Sequence, residues 1–343
     1  VTDGGTDSAN SVQVTLSESA HERLWVAEIV EGNQTQVAIV DVGPIQPQQT
    51  SAAGGVMLRS QQILTSREPV LAVLESNSWL TAVEPESIVL YQKIGDGWKE
   101  AKHLGFVQRR GLARDPRGTI VPGPLADASG FVAFVGDVKC SGSFGVSDPT
   151  ADWPAACAES DDPWPIAHAP IPETAATEPA ASDGTSVPSL NAFYNSSRDY
   201  FTGVVTPSLG VDLPPFYDAA LIPRAPGSAA LLIGGIDAKV QLLDNGALKP
   251  VAGTRDWGSD FAALRSGCGG GTQIIASGSG EATSDSLRAY ELPALEAIPA
   301  SAPLAMDGTV MALWSAPDGK SVLAVVRNAA NEYEVDRVTA LCN

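Results

Sequence analysis

The chain has 343 residues, of which 44% are hydrophobic, and a formal net charge of −19 with only 21 lysines and arginines. This composition is typical of a folded protein, and no apolar run reaches the roughly 20 residues of a membrane-spanning helix. Because no basic stripe offsets the negative charge, the sequence argues against nucleic-acid binding and against attraction to an anionic membrane surface.

The first residues, VTDGGTDSANS, are small and polar, and they contain neither the basic nor the apolar segment of a signal peptide. We expect a flexible N-terminal tether over residues 1–11. Such a start is typical of a mature exported protein, or of the region that follows a lipid-modified cysteine.

Short segments of alternating or β-branched residues, bounded by Gly, Pro, Asp and Asn, follow along most of the chain. The predicted strands include 12–17, 23–30, 35–42, 70–76, 87–94, 97–103, 130–138, 228–236, 238–244, 261–266 and 272–278. At the C-terminal end, TVMALWSA, SVLAVVRN and YEVDRVTAL predict a three-stranded meander. No window carries a capped helical stripe, so the pattern predicts an all-β protein.

About twenty antiparallel strands cannot form one stable open sheet, because the edges would remain unpaired. A β-propeller of about six to seven four-stranded blades solves this problem, and we expect one such domain over residues 12–343. A pair of sandwiches or a large barrel is the alternative.

One region departs from the strand pattern. Residues 141–191 are rich in Pro, Ala, Ser and acids, and we expect a long insertion loop there. The stretch from 166 to 188 has the composition of a surface excursion or linker.

The four cysteines lack the CxxC spacing of a redox or zinc site, and few histidines lie near them. We therefore predict disulfides Cys140–Cys157, closing a loop with little core, and Cys268–Cys342, fixing the C-terminal strand to an earlier blade. Disulfides indicate an oxidising compartment: periplasm, cell surface or medium.

Sequence motifs for catalysis are weak. No serine stands in a GxSxG nucleophile elbow, and RSGCGGGT lacks the lysine of a phosphate-binding loop. No cofactor is expected apart from a structural Ca²⁺, for which Glu159, Asp161 and Asp162 are the candidate ligands.

Two loops before apolar strands carry candidate binding residues, because such loops often hold functional side chains. The candidates in these loops are Phe216, Tyr217, Asp218, Asp256, Trp257 and Asp260, and Trp164 in the cysteine-containing stretch is a further candidate. Packing between blades is the alternative role for Trp257.

The segments RRGLARDPRGTI, WGSDFAALRSGCG and VMALWSAPDGKSVLAVV, with the strand–turn pattern, resemble exported bacterial β-propellers of the FG-GAP/VCBS-like type. The Asp-rich calcium loops of that type are not matched, so the resemblance implies an architecture and transfers no functional residue.

The leading hypothesis is a non-enzymatic exported scaffold or recognition module at the bacterial envelope that binds a protein or glycan. The alternative is a carbohydrate-active propeller enzyme with paired carboxylates. The acids considered for that role are Asp137, Asp218, Asp237, Asp256 and Asp260.

Overall fold

The structure is a computed structural model. The chain divides into two compact units, residues 1–53 and 54–343. The structure describes residues 11–18, 23–31, 34–41, 55–76, 78–95, 97–123, 130–144, 152–167, 190–223, 229–266, 268, 272–278, 284–316 and 319–342. Most of the predicted tether therefore lies outside the described residues. The prediction of a single domain over 12–343 stays a prediction.

The first unit contains an antiparallel meander of three strands, β1 (Ser11–Glu18), β2 (Arg23–Glu31) and β3 (Gln34–Asp41). All three were predicted from their alternating pattern. Every residue of β1 has a partner on β2, so the register is continuous along the hairpin.

The second unit is built almost entirely of strands, and the one helical element in its described part is a 3-10 helix at Pro293–Leu295. The strands are β4 (Val56–Ser66), β5 (Ala72–Ser76), β6 (Trp79–Val83), β7 (Ser87–Ile94), β8 (Gly97–Gly105), β9 (Gly118–Pro122), β10 (Gly130–Val135), β11 (Val138–Ser143), β12 (Ala155–Glu159), β13 (Trp164–Ala167), β14 (Leu190–Asn195), β15 (Tyr200–Thr206), β16 (Phe216–Pro223), β17 (Ala229–Gly235), β18 (Val240–Asp244), β19 (Ala247–Pro250), β20 (Trp257–Arg265), β21 (Thr272–Gly278), β22 (Ser286–Glu291), β23 (Ile298–Pro299), β24 (Leu304–Ala305), β25 (Gly308–Ser315), β26 (Ser321–Asn328) and β27 (Tyr333–Cys342).

These strands form antiparallel sheets that follow one another along the chain. Sheet I has the order β25-β26-β27-β4, sheet II β5-β6-β7-β8, sheet III β9-β10-β11-β12 and sheet IV β13 to β19 in sequence. Sheet V has the order β20-β21-β22-β23, with β24 also paired to β22. The predicted all-β class is confirmed, whereas the predicted six to seven four-stranded blades are not, because the sheets differ in strand number.

Buried apolar side chains lie between each pair of successive sheets. One cluster joins sheets I and II, a second II and III, a third III and IV, a fourth IV and V, and a fifth V and I. The strands that supply them carry continuous apolar runs; in β26, for example, the five residues from Val322 to Val326 are apolar and buried. The interfaces return to the first sheet, so the second unit is a propeller-like ring.

The ring is closed by the two ends of the unit. The first strand, β4, pairs with the last, β27, from Ser66 opposite Tyr333 to Val56 opposite Cys342. A disulfide joins Cys342 to Cys268, which lies in the connection between β20 and β21 of sheet V. Both the hydrogen bonds and the disulfide therefore oppose fraying of the C-terminus.

The other predicted disulfide, Cys140–Cys157, lies within sheet III. The two residues stand directly opposite each other on β11 and β12. Trp153 lies just before β12, and the centre of its ring is 5.8 Å from the centre of the Phe131 ring. Its indole N–H donates a hydrogen bond to the Ser143 carbonyl oxygen at 2.9 Å. Strand β12 is thus held at the edge of its sheet by a disulfide and an aromatic contact.

Sheet IV is irregular at its middle. Strand β15 pairs with β16 only at Phe201 and Phe216. Gly203 has a φ of 87°, and a Cβ there would lie 2.3 Å from the Leu213 carbonyl oxygen, so the chain before β16 runs closely alongside β15. Pro214 and Pro215 have no N–H to donate, which explains why this segment forms no regular ladder.

Candidate functional site

Each sheet has two ends, at which its strands begin or finish, and the pairing of the strands shows which residues lie at the same end. In sheet III, Gly118 at the start of β9 pairs with Val135, and Val138 pairs with Glu159 at the end of β12. We call the ends at which β5, β9, β13, β16, β20 and β25 begin the upper face, and the opposite ends the lower face.

The predicted binding residues all lie at the upper face. Trp164 begins β13, Phe216, Tyr217 and Asp218 begin β16, and Trp257 and Asp260 are in the first half of β20, just after Asp256. The loops that the sequence singled out therefore belong to one end of the second unit.

Arg117 is the residue at which sheets III, IV and V meet. It directly precedes β9, and its Nη1 lies 2.8 Å from Oδ1 of Asp260 on β20. Its guanidinium carbon lies 5.6 Å from the centre of the Tyr217 ring on β16, which is within cation–π range. The Arg117 side chain is 20% exposed and that of Asp260 6%, so this ion pair is largely shielded from solvent.

Asp218 connects sheet IV to sheet V through the backbone. Its Oδ2 accepts the N–H of Phe261 at 2.7 Å, and its Oδ1 accepts the N–H of Ala219 at 2.8 Å. Burial, and then the negative charge of Asp260, raises the pKa of Asp218 to about 8. The two N–H groups and the Arg117 guanidinium act in the opposite direction.

A third carboxylate, that of Asp199, reaches the same place from the turn between β14 and β15. Asp199 accepts a hydrogen bond from the Tyr194 hydroxyl, and burial raises the pKa of both groups. Burial disfavours the charge of Arg117, but the carboxylates of Asp260, Asp218 and Asp199 outweigh it and raise its pKa. We call Arg117, Tyr217, Asp199, Asp218 and Asp260 the central cluster.

Three of the predicted binding residues are packing residues in this structure. Trp164 is 4% exposed and stacks on Tyr194 with the ring centres 4.0 Å apart. Phe216 is fully buried, and Trp257, 8% exposed, packs between sheets IV and V. Tyr217 and Asp218 are half-buried and Asp256 is exposed, so these three retain surface that a partner can contact.

Two of the three candidate calcium ligands pair with cations of the protein itself. Glu159 forms an ion pair with Arg109, and Oδ2 of Asp162 lies 2.7 Å from Nζ of Lys139. Asp161 is exposed. Within the described ranges, no three His, Cys, Asp or Glu side chains gather closely enough to hold a metal ion.

Sequence reasoning missed Arg117, Asp199 and Tyr194. A signal for Arg117 was present, because RRGLARDPR places four arginines within nine residues of a chain that has only 21 lysines and arginines. No local signal identifies Asp199, which reaches the central cluster through the fold of sheet IV.

Part of the predicted insertion is regular structure, since β12 and β13 both fall within 141–191. Residues 145–151 and 168–189 lie outside the described residues. The residues that flank 168–189, Ala167 and Leu190, pair with each other at the lower end of β13, whereas Trp164 is at its upper end. The chain therefore leaves and rejoins sheet IV on the face opposite the central cluster.

No protein-family model matches the chain, and no curated protein matches it. Among solved structures, the crystal structure of BBS1N in complex with ARL6DN, soaked with lead, is similar over 94% of this chain and 90% of that chain. The identity is 10% and the TM-score 0.38, so this likeness carries no argument about function. No helix in the described ranges is long and apolar enough to cross a membrane.

The sheet order and the sequence of buried clusters define the class of the second unit as all-β and propeller-like. At its upper face, Arg117 before sheet III, Tyr217 and two carboxylates of sheet IV, and Asp260 of sheet V form a polar site. Such convergent polar and aromatic groups at the end of a rigid scaffold are suited to binding.

Proposed function

We propose that this protein is a non-enzymatic recognition module or scaffold of the bacterial envelope, which binds a protein or glycan partner at its upper face. The observation that carries the proposal is the meeting of Arg117, Tyr217 and Asp260 from three sheets. A guanidinium and an aromatic ring are groups on which binding energy concentrates at interfaces.

The number of blades that we propose follows from the contacts between the strands that begin at the upper face. Strand β13 contacts both β9 and β16, β16 contacts β20, and β20 contacts β25. We propose six blades around these strands, with sheet IV contributing two, β13–β15 and β16–β19. In the first of these, the chain between β15 and β16 takes the place of a fourth strand. The tether at 1–11 remains part of this proposal, and so does the insertion at 141–191, apart from β12 and β13, which belong to the blades.

The proposed location is the periplasm, the cell surface or the medium, with an N-terminal lipid anchor as one form of attachment. The two disulfides support it, because structural disulfides persist in oxidising compartments.

The contacts of three candidate acids in the described part of the chain do not favour the alternative of a carbohydrate-active enzyme. Both oxygens of Asp218 accept backbone N–H groups, Asp260 pairs with Arg117, and Asp237 pairs with Lys239. Paired-carboxylate hydrolysis needs one acid that is free to donate a proton and one carboxylate that faces the sugar. These carboxylates are instead engaged by donors of the protein.

Site-specific photo-crosslinking in the producing cells tests the proposal. A photoreactive amino acid replaces Asp256, exposed at the upper face, and in a separate strain Ile94, which is 57% exposed at the lower end of β7. We expect a discrete cross-linked species, a protein band or a glycan smear, from position 256 and none from position 94.

Equal cross-linking from the two positions contradicts the assignment to the upper face. Absence of any adduct from position 256 and from a second upper-face position, Arg198, overturns the recognition function itself. Arg198 is a suitable second position because it is exposed on the turn between β14 and β15.

A further inference from the structure

The loop from Gln108 to Arg117, which we call the arginine loop, concentrates positive charge on a strongly acidic protein. It joins sheet II to sheet III at the upper face and carries Arg109, Arg110, Arg114 and Arg117. The first three are exposed. Within the described part of the chain, Arg110 and Arg114 form no ion pair with a carboxylate, so their charges face solvent.

The arginine loop is fixed at its beginning, middle and end. The Gln108 amide donates to the carbonyl oxygens of Pro85 at 3.1 Å and Val135 at 3.2 Å. Leu112 packs against the apolar cluster between sheets II and III, and Arg117 pairs with Asp260. Because the backbone is held in this way, a partner that binds the exposed arginines has little loop entropy to remove.

A cavity of about 280 Å³, open to solvent and with a mixed polar and apolar lining, lies beside the beginning of the loop. Its wall comes from the end of β8 and the residues after it, and from β11 and β12; it is lined by Leu104, Gly105, Phe106, Val107, Val138, Cys157, Ala158 and Glu159. Val107 is 89% exposed. The disulfide of Cys157 with Cys140 fixes the β12 side of this wall.

The size of the cavity indicates what it holds. Pockets for drug-sized ligands occupy about 300–1,000 Å³, so this cavity is just below that range and has room for a single side chain, which Leu104, Phe106 and Val138 can contact. The solvent-exposed Val107, separated only by Gln108 from the exposed Arg109 and Arg110, provides an apolar anchor point next to positive charge.

We propose that the cavity and the arginine loop together dock an acidic segment of a protein partner, with one apolar side chain in the cavity and its carboxylates on Arg110 and Arg114. This inference rests on the proposed recognition function and names its partner class. Arginine pairs with carboxylates through two parallel hydrogen bonds, which gives the contact direction as well as charge.

Charge complementarity favours this partner over other anions. The net charge of −19 opposes a long polyanion such as nucleic acid, because a long chain brings many of its charges within the screening length of about 8–10 Å of the acidic surface. The carboxylates of a short acidic segment interact mainly with the nearby guanidinium groups. Burial of its apolar side chain in the cavity adds to the binding free energy. A free anion lacks the second of these contributions.

Peptide display against the full-length oxidised protein tests the proposal. Short random peptides are selected on the wild type, and the enriched sequences are then measured by fluorescence anisotropy. We expect enrichment of sequences in which Asp or Glu flanks a Leu, Phe, Ile or Met. Binding should weaken roughly ten-fold in the Arg110→Glu, Arg114→Glu double variant and in Val107→Ser.

A control is Arg255→Glu, which makes the charge change of one of these two substitutions at an exposed arginine before β20, outside the loop, and is compared with Arg110→Glu and Arg114→Glu singly. Its affinity should equal that of the wild type. Far-ultraviolet circular dichroism and thermal unfolding check that all variants fold, as expected because the changed side chains are exposed.

Enrichment of basic peptides, no enrichment of acidic ones, or equal weakening in the Arg255→Glu control overturns the proposal. If these results occur while position 256 still cross-links a partner, the docking site is wrong and the recognition function stands. If position 256 also fails to cross-link, the recognition function is wrong as well.

Discussion

The upper and lower faces of the second unit are held together by different forces. At the lower face, the Cys268–Cys342 disulfide joins sheet V to the last strand, next to the apolar cluster of sheets V and I. At the upper face, sheets III, IV and V are joined by the Arg117–Asp260 ion pair and by Asp218 accepting the Phe261 N–H.

The difference separates stability from recognition. A disulfide and apolar contacts stabilise a fold without presenting specific groups to solvent. A shielded charge cluster contributes less net stability, because desolvation offsets much of the attraction, yet it presents oriented polar groups to a partner. The β4–β27 ladder and the Cys268–Cys342 disulfide therefore close the ring, and the charge cluster at the upper face adds oriented polar groups that a partner can contact.

Removing the lower-face disulfide should have the largest effect. The Cys268→Ser, Cys342→Ser variant opens a loop with a sequence separation of 74 and should lose about 4 kcal/mol of unfolding free energy. The Cys140→Ser, Cys157→Ser variant, with a separation of 17, should lose about 3 kcal/mol. Urea denaturation under oxidising conditions measures both. The reverse order would show that ring closure at the C-terminus is not the main covalent constraint.

Breaking the Arg117–Asp260 ion pair at the upper face should have the second largest effect on stability. Arg117→Met leaves the Asp260 carboxylate buried without its cation and should cost about 3 kcal/mol. Asp260→Asn combined with Arg117→Met should restore part of that loss, because no unpaired charge remains. A double-mutant cycle by urea denaturation measures the coupling. Additive losses would mean that the pair does not join the sheets.

The Asp218 carboxyl gives a smaller, pH-dependent effect. Since its folded-state pKa is raised to about 8, its protonation favours the folded state at low pH, and this contribution is lost as the pH rises from about 4 through 8. Asp218→Asn should therefore flatten the pH dependence of unfolding free energy in this window, besides losing about 1 kcal/mol for one acceptor oxygen. Denaturation at several pH values tests it. Parallel profiles for variant and wild type would contradict the assignment.

The exposed ion pair between Arg109 and Glu159 should contribute least to the unfolding free energy. Glu159→Gln removes the partner of Arg109, and because both side chains are more than half exposed we expect no measurable change in unfolding free energy. The same change frees Arg109 and should strengthen binding of the selected acidic peptides. A loss of stability comparable to that of Arg117→Met would mean that the two ends of the arginine loop are equally structural.

The sequence predicted the strands whose pattern is local. The apolar run in β17 (Ala229–Gly235) and the turn at Asn245 and Gly246, both with positive φ, follow from residue type alone. The strands β12 and β13 were assigned to the insertion because Ala155–Glu159 and Trp164–Ala167 contain few β-branched residues. Their extended state comes from pairing with β11 and β14, which is a tertiary effect.

The candidate site was predicted only in part, because some of its residues are recognisable from local sequence and others meet only through the tertiary fold. Loops before apolar strands can be recognised locally, so Tyr217, Asp218 and Asp260 were found. The partner of Asp260 is 143 residues away in sequence, and no spacing rule connects the two. Burial likewise decides the role of Trp164, because an aromatic residue at a strand start can face either solvent or the core.

The central claim, that partners bind at the upper face, is tested most directly by amide hydrogen exchange of the protein alone and with its cross-linked or copurified partner. We predict slower exchange in the arginine loop and at the starts of β16 and β20, with no change at the lower ends of β7 and β25. Protection confined to the lower face, or none at Arg110–Gly118 and Tyr217–Asp218, would contradict the account.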